Sequence, residues 1–288
     1  MSPSPAQRLR ALIDGPELLV MPCCFDALSA RLIERAGFPL TFMSGFAVSA
    51  AHLAAPDTGL ISFGEMLDQG RSICAATTLP VIGDGDTGYG NALNVKRTVT
   101  EYARAGFAGI MIEDQVAPKR CGHTRGKQVV PFEEACLRVK AAVDARDEGA
   151  DILIMARTDA RATHDLDEGL RRMAAFAGIG ADILFLEAPR SEAEMERFCR
   201  EIPGPKMANM LEQGATPVLP PAHLADIGYK IAAYPLTLLL AAVPVMEQAL
   251  AELKAGRHPQ GLASFGHLQE VVGFPDYFAA ERRYASGD

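Results

Sequence analysis

No uninterrupted apolar run in this chain reaches the roughly 20 residues that a membrane-spanning helix needs. The most apolar stretch, 231–246, is broken by Pro235 and Pro244 and reads as a buried strand followed by a buried helix. Positive charge is in deficit, with 28 Lys and Arg against 36 Asp and Glu and a formal net charge of −8. That balance speaks against a nucleic-acid surface and against docking on anionic lipid, so an anionic substrate must be captured by local groups. No C-x-x-C pair occurs, which removes the usual four-ligand zinc sets. The six cysteines, an adjacent pair Cys23-Cys24 and four singles, do not form the spaced framework of a small secreted domain, so reduced thiols in a cytoplasm are expected. Residues 1–10 are polar, with no apolar segment or cleavage signature behind them, and no targeting segment is expected. There is no Ser/Gly-rich linker, composition shift or low-complexity segment to divide the chain.

What is present is 49% hydrophobic and 22% charged residues, the composition of a soluble globular protein. Eight short β-type runs, at 18–21, 40–43, 80–83, 109–112, 152–156, 183–186, 206–209 and 230–233, alternate with amphipathic helical stretches. That alternation predicts an α/β fold with a parallel sheet, and eight strands predict a closed (β/α)8 TIM barrel spanning 1–288 as a single domain. Asp26 caps a helix that Gly37 stops, a helix from Asn91 to Ala105 ends at Gly106, and Pro131 opens one rich in early glutamates. A long helix to Lys254 and a helical extension over about 255–288 are left over after the eighth strand.

The most informative segment is Lys119-Arg120-Cys121-Gly122-His123, shortly after an apolar run that ends in Glu113-Asp114. A lone cysteine is more often a small buried hydrophobe, but Lys, Arg, Gly and His are not core neighbours. Cations beside a thiol favour its reactive form, and nearby carboxylates suit proton transfer. In a (β/α)8 barrel the chemistry lies at the C-terminal ends of the strands. Those ends carry Ser44-Gly45, Asp84 and Asp86, Glu113-Asp114, Arg157 and Asp159, Glu187 and Asn209. The stretch 83–88, Gly-Asp-Gly-Asp-Thr-Gly, matches G-x-G-x-x-G in form, but its two carboxylates would repel a pyrophosphate. The same carboxylates, with Glu113 and Asp57, offer an oxygen-rich site for Mg²⁺. Arg157 reads as a fork for a substrate carboxylate or oxyanion, and Glu187 as its balance. Main-chain amides near Ser44-Gly45 and Gly122-His123 are candidates for cradling carboxylates. His52, His164, His223 and His267 read as surface or packing residues.

In this order, D-G-D-T-G-Y-G-N, I-E-D-Q, K-R-C-G-H and A-R-T-D-A resemble the isocitrate lyase and phosphoenolpyruvate mutase superfamily across nearly the whole chain. The K-R-C-G-H motif resembles its lyase branch. The resemblance implies a (β/α)8 barrel whose terminal helix swaps between subunits, a dimer-of-dimers homotetramer, and Mg²⁺ (with Mn²⁺ as an alternative) bound to a 2-oxy carboxylate. It also implies that Asp84 and Asp86 hold the metal, with Asp57 and Glu113 on its waters, and that Ser44, Gly45 and Phe46 bind the keto-acid carboxylate. Cys121 is the implied general acid, grouped with Arg157 and Lys119 as catalytic; Gly122, His123, Arg157, Glu187 and Asn209 are implied substrate contacts.

Departures narrow the substrate. After C-G-H this chain reads Thr124-Arg125-Gly126-Lys127 rather than R-P-N-K, and Leu240 and Phe265 align where methylisocitrate lyases have arginines for a third carboxylate. The Thr124-Arg125-Gly126-Lys127 stretch and 208–212 resemble the dimethylmalate lyase and petal death protein group. Phe42 stands where some lyases have a tyrosine. The expected activity is Mg²⁺-dependent cleavage of a 2-alkylmalate or dimethylmalate to an α-keto acid and a carboxylic acid. Alternatives are an oxaloacetate hydrolase, a 2-methylisocitrate lyase, a phosphonomutase-type enzyme and a non-catalytic barrel acting as a binding or structural protein.

Overall fold

The computed structural model describes residues 2–122 and 126–285. The chain forms two compact units, one running to Thr237 and the other from Leu238. The first unit contains eight parallel strands: β1 (Leu19–Cys24), β2 (Thr41–Met43), β3 (Val81–Asp84), β4 (Gly109–Glu113), β5 (Leu153–Thr158), β6 (Ile183–Leu186), β7 (Met207–Asn209) and β8 (Ile231–Tyr234). Their order is β6-β5-β4-β3-β2-β1-β8-β7, and a parallel bridge between Leu184 and Lys206 brings the two outer strands together. This is the expected (β/α)8 barrel. All eight strands are present with ends shifted by no more than three residues.

Alternation along the strands explains the core. Leu19, Met21 and Cys23 of β1 point inward with Phe42, Ile82, Met111, Leu153, Met155, Ile183, Phe185, Met207, Ile231 and Ala233. The helix Pro5–Asp14, not among the helices expected from the sequence, adds Ala6, Leu9 and Ile13 to that core. Its start is well specified, because Ser4 and Gln7 form a capping box ahead of Pro5. Asp26 and Asn91 cap their helices as expected, and Gly106 ends Ala92–Ala105 with a left-handed φ of 97°.

The second unit contains Phe265–Val272 and Phe274–Tyr284, and the helix Thr237–Lys254 runs into it from the end of the first. The apolar helix expected to be buried is not. None of its residues is buried, and Leu240, Val243, Met246 and Leu250 are exposed. Hydrophobicity alone does not distinguish an interior face from one suited to a partner. Among the described residues, no helix is long and apolar enough to cross a membrane.

Candidate active site

The C-terminal ends of the strands deliver their polar residues to one pocket. Its lining includes Ser44 and Phe46 after β2, Asp84 at the end of β3, Glu113 at the end of β4, Arg157 in β5, Glu187 after β6 and Asn209 at the end of β7. Asp57, Arg120, Cys121 and Gly122 close it from two loops. The floor is the top of the barrel core, formed by Phe42, Met111, Phe185, Met207 and Ala233. The pocket encloses about 590 Å³ including its mouth, which suits a small molecule rather than a polymer. His123 lies outside the described residues.

Charge is concentrated here. Asp57, Asp84, Asp86, Glu113, Asp159 and Glu187 are all buried, whereas among the described residues the cationic side chains buried at this site are Lys119, Lys127 and Arg157. The Lys119 ammonium lies 2.7 Å from Asp57 and 2.8 Å from Asp86. Burial opposes its charge, but Asp86, Asp84 and Asp57 outweigh burial and hold its pKa well above the usual lysine value. Burial pushes the Asp86 carboxyl up to about 6, with Lys119 drawing it back and Asp84 and Asp57 adding repulsion. Asp86 also sits at a positive φ of 49°, an unusual conformation for a non-glycine residue that the surrounding loop must enforce. Lys119 and Asp86 are therefore tied to each other, while Asp57, Asp84 and Glu113 line the pocket.

Arg157 is held on three sides. Its Nε is 2.8 Å from Asp159 and 3.3 Å from Glu113, and its Nη2 is 3.2 Å from Glu187. Burial opposes its charge, yet Asp159, Glu187 and Glu113 raise its pKa well above the ordinary value. Glu113 is driven well above the carboxylate range by burial, against the pull of Arg157 and with repulsion from Asp159. Asp159 goes the other way, because Arg157 and Lys127 overcome its burial. Glu187 also faces the Asn209 amide at 3.4 Å.

Two close approaches explain glycines at the rim. A Cβ on Gly45 would lie 2.4 Å from an Asp84 oxygen, and one on Gly122 would lie 2.5 Å from Arg157 and 2.6 Å from Glu187. The Gly45 amide donates to Asp84 at 3.2 Å and the Ser44 amide to Cys24 at 3.0 Å, so these two N–H groups face protein acceptors rather than a ligand carboxylate. That corrects the expected cradle at this point and leaves the Ser44 side chain and Phe46 facing the pocket.

Whether a divalent cation fits is decided by the donors. Among the described residues, six buried carboxyl groups exceed three buried cations, and the Glu113 Oε1 is buried with no hydrogen-bond partner. Among the described residues no three acids, histidines or cysteines converge as ready-made ligands. This combination fits Mg²⁺, which keeps several waters and needs only one or two direct carboxylates.

Asp114, read from sequence as an acid near the thiol, has a structural role instead. It accepts from Thr158 at 2.5 Å, the Asp159 amide at 3.0 Å and Arg172 at 2.9 Å, and it does not line the pocket. Asp114→Ala strands a buried arginine contact and a strand-end amide, and it should lower unfolding stability by about 3–5 kcal/mol. Chemical denaturation checks this, and an unchanged midpoint would contradict the role. Leu240 and Phe265, read as the apolar substitutes for arginines, belong to the second unit and are exposed. The apolar part of the lining comes instead from Phe42, Leu211, Pro235 and Leu236, which spacing alone did not single out.

The family model for phosphoenolpyruvate phosphomutase matches residues 9–254. The chain is 42% identical to 2,3-dimethylmalate lyase of Eubacterium barkeri, over 98% of this chain and 99% of that one. It is 45% identical to probable 2-methylisocitrate lyase 2 of Corynebacterium glutamicum, over 96% and 90% respectively. Among solved structures, oxaloacetate acetylhydrolase with the inhibitor 3,3-difluorooxalacetate superposes with a TM-score of 0.94 at 33% identity, covering 99% of this chain and 98% of the other. Phosphonopyruvate hydrolase in complex with oxalate and Mg²⁺ superposes with a TM-score of 0.87 at 30% identity, covering 99% and 100%. With the barrel, the acid-lined mouth and the thiol loop in place, this chain belongs to the phosphoenolpyruvate phosphomutase family of enzymes.

Proposed function

We propose that this chain is a cytoplasmic carbon–carbon lyase that cleaves a 2-hydroxy dicarboxylate of the 2-alkylmalate or 2,3-dimethylmalate type. The observation that carries the reading is Cys121 lining the same small pocket as Arg157, Asp57, Asp84 and Glu113. Likeness to the Eubacterium lyase supports it.

Cleavage breaks the C2–C3 bond. The hydroxyl proton passes to a water molecule in the pocket, the C2 oxygen becomes the keto oxygen, and the electron pair of the broken C2–C3 bond moves to C3, where the adjacent carboxylate spreads it as an enolate. Cys121 gives its S–H proton to C3, completing the second acid. Arg157 offers a fixed positive charge to the C2 oxygen as charge develops there. Glu187 holds Arg157 and Asn209 in place, Ser44, Phe46 and Gly122 form the keto-acid end, with Gly45 tethering Asp84, and Lys119 partly neutralises Asp57 and Asp86. Asp84, Asp86, Asp57 and Glu113 would hold Mg²⁺ or Mn²⁺, largely through water, and the bound ion supplies charge stabilisation to the substrate carboxylate and 2-oxygen.

The six cysteines, none in a disulfide, support a reducing compartment. The second unit, a helical extension to a one-barrel enzyme in this reading, exposes Leu240, Leu250, Phe265 and Phe278. Such faces suit burial against further copies, in keeping with a homotetramer with swapped terminal helices.

Substrate choice tests the reading. Among the described residues the cations lining the pocket are Arg157, flanked by three acids, and Arg120, while Phe42, Leu211, Pro235 and Leu236 favour alkyl groups at about 0.8 kcal/mol per buried CH₂. In direct competition with Mg²⁺ present, dimethylmalate or a related alkylmalate should exceed 2-methylisocitrate in kcat/KM by about tenfold or more. Preference for methylisocitrate would assign the chain to tricarboxylate cleavage. Oxalate formed from oxaloacetate, with no malate cleaved, would make it a hydrolase.

A further inference from the structure

We propose that Lys127 is a positioning residue whose ammonium seats the Cys121 loop over Arg157 by bridging the Gly122 carbonyl and the Asp159 carboxylate. The inference rests on the reading of Cys121 as the proton donor and goes beyond it, since nothing in the motif comparison gives Lys127 a role.

Loop lysines ordinarily keep their ammonium in water, because burial is unfavourable unless every proton finds an acceptor. The Lys127 side chain is only 5% exposed, and Asp159, its partner at 2.7 Å, is 0% exposed. The same ammonium donates to the Gly122 carbonyl. Thus one side chain ties the start of the loop to its end and fixes both to the C-terminal end of β5.

That anchor is itself rigid. Asp159 accepts from Arg157 at 2.8 Å, and its amide donates to the buried Asp114 at 3.0 Å. On the far side of Cys121 the loop is already secured. The Gln115 side chain accepts from the Arg120 amide at 2.9 Å and donates to the Arg120 carbonyl at 2.8 Å, and the Cys121 amide donates to the Asp57 carbonyl at 3.1 Å. Lys127 secures the Gly122 side. The need for control is visible at Gly122, whose main chain packs so closely on Arg157 and Glu187 that a methyl group would not fit. Releasing the ammonium frees the Gly122 carbonyl and lets the loop lift, taking the thiol away from C3. Asp159 is also shared between Lys127 and Arg157, so Lys127 limits how far Asp159 neutralises the arginine that faces the substrate.

Lys127→Met, which keeps the stem and removes the ammonium, separates this from a purely structural role. Peptide-resolved alkylation with N-ethylmaleimide needs no substrate. Cys121 should be modified about tenfold faster or more, as expected for the loss of a charged hydrogen bond, while Cys136 in the same digest stays unchanged. Turnover should fall about 100-fold, as for a displaced catalytic group, and Lys127→Arg should recover part of it. Wild-type alkylation of Cys121 in folded Lys127→Met would overturn the proposal. If both thiols react faster in Lys127→Met, Lys127→Arg decides, and failure to slow Cys121 again would also overturn it. A wild-type enzyme that cleaves no malate, with the alkylation result intact, would sink the lyase reading and leave the positioning role standing.

Discussion

Cys121→Ser lowers carbon–carbon cleavage by about 10²–10⁴-fold, the range that one well-placed general acid contributes. The change is small in volume, and the Cys121 main chain keeps its bond to the Asp57 carbonyl, so the loop is not displaced. Acidity changes instead. A thiol ionises near neutral pH, with an unperturbed pKa of about 8.5, whereas an alcohol in the same place holds its proton far more tightly. The carbanion at C3 must then take its proton from water, a far weaker acid than a thiol. Arg157, Ser44 and Asn209 are untouched, so calorimetry should show an α-keto acid product binding with wild-type affinity. Turnover of malates at the wild-type rate in Cys121→Ser would remove the thiol from the chemistry, and loss of product binding would recast it as a binding residue.

The barrel was legible because its strands are short apolar runs separated by capped helices, and each cap is a local signal that tertiary packing did not override. Asp26, Asn91 and Gly106 do what their chemistry predicts. The rim was legible for the same reason, since a polar residue directly after an apolar strand has one place to go in this fold. Partner choice was not. Spacing shows that Glu113 and Asp114 are adjacent, but strand alternation sends one to the pocket and the other to Arg172. It brings Lys119 near Cys121 in sequence and gives no hint that its ammonium turns to Asp57 and Asp86. Lys127 stands out in the sequence only as part of the Thr124-Arg125-Gly126-Lys127 departure, and nothing there shows that its ammonium returns to the Gly122 carbonyl and Asp159. The apolar wall was missed for a different reason. Leu211, Pro235 and Leu236 come from two separate strand ends and have no periodic signature, whereas Leu240 and Phe265 stood out through alignment and lie in the other unit.

Chelation should abolish turnover, and Asp84→Ala should weaken Mn²⁺ binding about tenfold or more, the loss expected when one of a few charged oxygen ligands is removed. Asp84 is the informative choice. It lines the pocket, whereas Asp86 is paired with Lys119 and sits at a positive φ, so changing Asp86 confounds ligand loss with loop rearrangement. The contacts that Asp84 surrenders are the amides of Gly45 and Asp86, at 3.2 and 3.0 Å, which tether the rim but do not hold the barrel core. Electrostatics gives the direction. Among the described residues, six buried carboxyl groups accompany three cations and Glu113 keeps a buried oxygen with no hydrogen-bond partner, an excess of negative charge that a divalent ion relieves. Removing Asp84 reduces that excess and with it the attraction for the ion. Mn²⁺ titration followed by electron paramagnetic resonance reads binding directly, with no need for a substrate, and Mg²⁺ added after EDTA should restore turnover in the wild type. Undiminished Mn²⁺ binding by Asp84→Ala would move the cation away from the end of β3. Full turnover in EDTA would show that the chemistry runs on the protein's own cations, Arg157 and Lys119 among them, without a metal ion.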